Sequence, residues 1–157
     1  AYHASGKDLA KRLKNHIPVI YSSLRNLSIA YNWKIKFNET GKIPAFYNVL
    51  PELNHNEMTG FDIAPSTRKL SANFHFIFLQ DSADHPRVQK RMRILQRLYE
   101  NRGLPVEVIR LHKDKGPFYK IFSSLILADW TSLYTAENYG VEPEQVPMVE
   151  EFKKLIA

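Results

Sequence analysis

Residues 73–79 read NFHFIFL. Aromatic and β-branched side chains fall on odd and even positions alike, so a strand here is apolar on both faces. Such a strand must be covered on both sides, the condition of a parallel sheet between two layers of helices. IPVIY at 17–21 and VEVIRL at 106–111 read as companion strands. Stretches of helical spacing fill the intervals. Residues 6–15 carry Leu9 and Leu13 on one face, and 24–37 carry Leu27, Tyr31 and Ile35. Residues 87–101 carry the stripe Val88, Met92, Leu95 and Tyr99, with Gly103 as a stop. The longest apolar helix is expected over 118–138, ended by Gly140, and a last short helix over 148–156. A further helical stretch is expected over 45–58, kinked or divided at Pro51 and stopped at Gly60. Gly41 and Pro44 mark 38–44 as a break, and 112–117 read as a loop.

The order helix, strand, helix, helix, strand, helix, strand, helix, helix predicts an α/β fold, a three-layer αβα sandwich around a parallel sheet. Neither a repeat nor a linker divides 1–157, so a single domain is expected. Ligands of such sheets bind outside the carboxyl ends of the strands, which draws attention to the loops after Tyr21, Leu79 and Leu111.

Cysteine is absent, which excludes disulfides, thiolate metal sites and cysteine nucleophiles and suits a cytoplasmic protein. No apolar run approaches the roughly 20 residues of a membrane helix, and the polar start does not read as a signal peptide. The first residue is Ala rather than Met, so a piece of a longer protein is expected. A net charge of +6 favours anionic partners, phosphorylated metabolites and nucleic acid alike.

Dinucleotide fingerprints, P-loops, GxSxG and HExxH do not occur. The densest polar cluster is ELNHNE at 52–57. Asn is a poor helix-interior residue, so Asn54, His55 and Asn56 suit chemistry or capping better than a solvated helix face. The spacing of His55 and Glu57 does not put both on one helical face and makes a poor metal site. Asn38-Glu39, flanked by Lys36 and Lys42, is the second candidate; by itself it reads equally as a surface carboxylate. Arg87, Lys90, Arg91, Arg93 and Arg97 lack interleaved aromatics and read as a solvated helix face rather than a nucleic-acid platform. Asp129, in an apolar stretch, reads as a buried, hydrogen-bonded carboxylate.

At FNETGKIPAF (37–46) and PELNHNE (51–57) the sequence resembles the bifunctional phosphoglucose/phosphomannose isomerase family, within the sugar isomerase (SIS) domain proteins. PVIYSS (18–23) looks like the family's opening strand and turn. ADWTSLYTAENYGVEPEQVPMVEEFKKL (128–155) looks like its C-terminal helix, loop and last helix. Members carry two SIS domains in tandem, and this chain resembles the second. The resemblance implies a flavodoxin-like SIS architecture and an aldose–ketose isomerase. Such an enzyme interconverts glucose 6-phosphate, and mannose 6-phosphate, with fructose 6-phosphate by a cis-enediol proton transfer without metal or organic cofactor.

Residue by residue, the resemblance implies Glu39 as the base, His55 as the ring-opening histidine, and Lys153, with Lys154 in reserve, at the ring oxygen. It implies a homodimer in which His55 reaches the partner's site. Asn38, Ser22 and Ser23 are candidate substrate contacts, the serines as a remnant, because the family's phosphate-binding loops lie mainly in the first domain. An isolated second domain is therefore expected to be weakly active or inactive. The competing readings are a non-catalytic sugar-phosphate-binding SIS module and a basic nucleic-acid-binding domain; the isomerase reading implies neither nucleic-acid nor membrane partners.

Overall fold

The computed structural model describes residues 1–112 and 115–157. Part of the loop expected over 112–117 therefore lies outside the described residues. Four parallel strands form one sheet in the order β2-β1-β3-β4. They are β1 (Ile17–Ser23), β2 (Phe46–Leu50), β3 (Phe74–Asp81) and β4 (Val106–Leu111). Helices α1 (Tyr2–Arg12), α2 (Leu27–Glu39), α5 (Pro86–Glu100), α6 (Gly116–Tyr139) and α7 (Pro147–Ile156) surround or follow it. Between β2 and β3 lie only single turns, among them α3 (Glu57–Gly60) and α4 (Arg68–Ser71).

Alternation along the strands divides the core. Ile20, Ile77 and Leu79 face one side, where Leu9 of α1, Leu13 just after it, Trp33 and Phe37 of α2 and Ala128 of α6 cover them. Val19, Tyr21, Phe76 and Phe78 face the other, against Met92, Leu95 and Tyr99 of α5 and Leu53. Both faces of β3 are thus buried, as its two-sided apolar pattern predicts. The expected αβα sandwich is the observed one.

One expected element is different. Residues 45–58 do not form a helix: 46–50 are the edge strand β2, paired in parallel with β1 so that Val19 lies opposite Phe46 and Ser23 opposite Leu50. Phe46, Tyr47, Val49, Leu50 and Leu53 fit a helical spacing as well as an extended one over so short a window. The free edge of β1 decides between them, since strand formation depends on the neighbours available. Pro51 follows the last paired residue, and Glu52–Asn54 then make one turn of 3-10 helix.

Two glycines fix how the α1/α2/α6 layer closes. A Cβ on Gly6 would stand 2.5 Å from the Trp130 Cβ, so α1 packs on α6 at a distance only glycine permits. Gly140, at φ 64°, takes the left-handed conformation that ends α6, as its place in the sequence predicts.

Candidate functional site

Glu39 stands at the amino edge of the sheet. Helix α2 starts at the carboxyl end of β1 and runs back, so its last residues meet the start of β2. There the chain breaks sharply. The amides of Thr40 and Gly41 both donate to the Lys36 carbonyl, at 2.9 and 3.0 Å. Asn38 Nδ2 donates to the Ile43 carbonyl at 3.0 Å, so its side chain shapes the bend. This leaves the Glu39 carboxylate exposed, with no cation within 4 Å among the described residues. Neither flanking lysine is spent on it. Lys36 pairs with Asp129 at 2.7 Å. Lys42 Nζ donates to two backbone carbonyls, that of Glu39 and that of Gln145.

The Lys42 bridge ties the break to the tail. Between them opens a groove of about 430 Å³, lined by Asn38, Glu39 and Lys42 on one wall and by Val146, Met148 and Val149 on the other. Lys153 and Lys154 lie farther along α7, both exposed. Lys153 Nζ pairs with Glu150 at 2.7 Å. It follows Val149, which lines the groove, by one helical turn. The structure therefore groups Glu39, Asn38 and the root of α7 and places neither lysine in the groove wall. Asp129, expected to be buried, is instead half exposed in its ion pair with Lys36: Leu127 and Ala128 pack into the core, and position 129 faces α2.

His55 stands at the other edge, beyond the carboxyl end of β2. Its ring is exposed, while Leu53 is fully buried. β2 has five residues, and at about 3.3 Å per residue it holds the two regions on the order of 16 Å apart along the strand. Within one chain, Glu39 and His55 do not meet.

Also at the carboxyl edge is the switch point, where the chain turns from β2 on one side of β1 to β3 on the other. Sequence logic directs a ligand there. It is filled instead by the chain's own polar groups. Ser23 Oγ donates to Asp84 Oδ1 at 2.8 Å. Asn26 Nδ2 donates to Ser23 Oγ and Asp81 Oδ2, at 3.0 and 3.1 Å. Lys120 Nζ donates to Asp81 Oδ2 at 2.8 Å and Asn26 Oδ1 at 3.1 Å. Burial would raise the Asp81 carboxyl, but the hydrogen bonds from Lys120, the Ala83 amide and Asn26 outweigh it, and its pKa is lowered. Burial dominates at Asp84, whose pKa is raised in spite of the Ser23 hydroxyl. Ser22 Oγ donates to the Ser23 carbonyl at 3.0 Å. Both serines are buried, so neither presents a free hydroxyl to a ligand.

Sequence reasoning passed over Lys42 as a latch and Lys120 as a largely buried cation. A lone lysine in the apolar run FYKIF (118–122) was the available signal for the second. The exposed cations of α5 agree with the solvated face read from sequence. Among the described residues no helix is long and apolar enough to cross a membrane.

Residues 3–156 match the family model described as the bacterial phospho-glucose isomerase C-terminal SIS domain. A bifunctional phosphoglucose/phosphomannose isomerase of Aquifex aeolicus is 36% identical over 151 residues, 95% of this chain and 45% of that protein. One from Thermoplasma volcanium is 34% identical over 153 residues, 96% of this chain and 47% of that protein. The chain thus spans about half the length of these relatives. A crystal structure of a glucose-6-phosphate isomerase-like protein from Thermus thermophilus superposes with a TM-score of 0.64 at 16% identity, over 90% of this chain and 45% of that one. At that identity the likeness is one of fold.

Proposed function

This chain belongs to the bacterial phospho-glucose isomerase C-terminal SIS domain family, and we propose that it is the C-terminal half of the catalytic centre of a hexose-6-phosphate isomerase. The observation that carries this reading is Glu39, an exposed carboxylate on the wall of a groove beside the amino edge of the sheet. The substrates are glucose 6-phosphate and mannose 6-phosphate, each interconverted with fructose 6-phosphate. Glu39 takes the proton from C2 of the open-chain aldose and returns it to C1 of the cis-enediol; the reverse reaction runs through the same carboxylate. His55 moves a proton at the ring oxygen during ring opening, a task an imidazole performs near neutral pH. Lys153 assists there, with Lys154 in reserve. Neither a metal nor an organic cofactor takes part.

The separation of Glu39 from His55 supports a homodimer in which each His55 serves the partner's Glu39. The filled switch point supports a substrate phosphate held by a preceding SIS domain of the same protein. Residues 1–157 then form one domain, active only together with that domain.

A coupled isomerase assay on the full-length protein, with both hexose phosphates, tests the reaction. Mixing subunits tests the assignment across the dimer. Glu39→Gln and His55→Ala homodimers should each lose most of their activity. Randomly mixed, half the dimers are mixed and each of these keeps one intact site, so about a quarter of wild-type activity returns. No recovery in demonstrably mixed dimers would place both residues in one subunit's site or remove one from the mechanism. Binding of both sugar phosphates without turnover by the wild-type protein would instead support a sugar-phosphate sensor.

A further inference from the structure

The segment that carries His55 has little to hold it. It consists of one three-residue 3-10 turn and one four-residue helix, both far below the length at which a helix sustains itself. The His55 side chain makes no hydrogen bond among the described residues. Its position therefore depends on its neighbours two residues away on either side. On one side is Leu53, fully buried against Val19 and Tyr21. On the other is Glu57.

The Glu57 carboxylate is half-buried and held by both oxygens. Oε1 accepts from the Tyr21 hydroxyl of β1 at 2.5 Å, and Oε2 accepts from Asn48 Nδ2 of β2 at 2.5 Å. Both donors are fixed. The Tyr21 ring is fully buried and packs against Phe76 and Phe78 with centroids 5.4 Å away. The amide of Asn48 is oriented by its Oδ1, which accepts from the Val49 amide at 2.8 Å. Asn56 closes the turn from within: its Oδ1 accepts from the Glu57 amide, and its Nδ2 donates to Glu52 Oε1 at 3.0 Å. No cation lies within 4 Å of Glu57 among the described residues, so this is not an ion pair. A half-buried carboxylate held only by neutral donors is costly to desolvate. What it supplies is two acceptors joining two strands to one turn.

We propose that Glu57 is a positioning residue for the proposed reaction, clamping the 52–57 turn to β1 and β2 so that His55 is presented in a fixed pose to the partner subunit's site. The inference rests on the isomerase reading above. It concerns the placement of His55, not the identity of the base.

The test uses the full-length protein with Glu57→Ala, Glu57→Gln, His55→Ala and the double variant. Misplacement of a reacting group by about 1 Å costs on the order of a hundredfold in rate. Glu57→Ala is expected to lower kcat tenfold to a hundredfold, with KM changed less than about threefold by the same reasoning. Added to His55→Ala it should cost little more, because the clamp acts only through the imidazole. Glu57→Gln should restore most of kcat: its oxygen still accepts from Asn48, and its amide donates to the Tyr21 oxygen while that hydroxyl turns to Tyr99, 3.4 Å away.

A second readout needs no turnover. The backbone amide of His55 should be rigid on the nanosecond scale by NMR relaxation in the wild type and become mobile in Glu57→Ala, while the amides of β1 and β3 stay rigid in both. Full additivity of the two losses, or an unchanged His55 amide in Glu57→Ala, would overturn the proposal. Normal activity in His55→Ala would overturn the isomerase role of His55 instead, and the relaxation measurement would still decide whether Glu57 holds the turn. If Glu57→Ala is too unstable to purify, Tyr21→Phe removes one of the two donors, and a smaller kcat loss in the same direction is expected; no loss there would also count against the clamp.

Discussion

The two ends of the sheet carry comparable polar machinery and leave it in opposite states. At the carboxyl edge Ser23, Asn26, Asp81 and Asp84 are buried and, with the largely buried Lys120, satisfy one another. At the amino edge Glu39 is exposed over a groove, and its neighbouring lysines are bound to Asp129 and to backbone carbonyls instead. A buried, mutually satisfied network specifies structure. An open carboxylate whose local cations are otherwise engaged is free to accept a proton. In an α/β sheet the usual order is the reverse, with chemistry at the carboxyl edge. In this chain the usual crevice has become a fastening, and the proposed base lies at the other end.

That contrast breaks first, if it breaks, on Glu39→Gln. The full-length variant should fold normally, and its isomerase turnover should fall by roughly a thousandfold, within the range for a lost general base; a coupled assay beside a denaturant titration checks both. The mirror-image experiment is Lys120→Met. It leaves Asp81 buried without its cation, which typically costs about 3–5 kcal/mol. The urea midpoint should drop sharply. In whatever fraction remains folded, kcat should stay near wild type.

A third experiment reads a buried titrating group at the amino edge. His75 is buried on β3, beside the ring of His16, and burial lowers its pKa from 6.5 to about 4. The unfolded chain therefore binds a proton that the folded chain refuses between those values, and stability falls as pH drops through that window. Denaturant midpoints measured from pH 7 to pH 4 should fall, and His75→Gln should flatten the fall. The smallest effect is expected at Asp129→Asn. Its ion pair with Lys36 is half exposed, so stability should change by about 0.5 kcal/mol or less. A release of Lys36 towards Glu39 would show as an altered pH–rate profile of the full-length enzyme.

Three of the four strands were legible because each is an apolar run bounded by turn residues, and NFHFIFL alone implied a two-sided core. β2 was not. FYNVL has an asparagine at its centre, lies at an edge and follows a break, so nothing local separates it from the start of a helix; only pairing with β1 does. The positions of Glu39 and His55 followed from family resemblance, and their separation did not, because it depends on that same missed strand. Ser22 and Ser23 looked available because they follow a strand. Their burial depends on Asn26, Asp81 and Asp84, which are distant or unremarkable in sequence. The two oxygens of Glu57 are likewise invisible in ELNHNE, since their donors sit on β1 and β2.

The length of β2 has a consequence in terms of mass action. A strand of five residues holds base and imidazole apart within the chain, so on the proposed mechanism one subunit alone has no complete centre at any concentration. Turnover is then set by the concentration of dimer and follows the square of chain concentration once the protein is diluted well below its dimer dissociation constant.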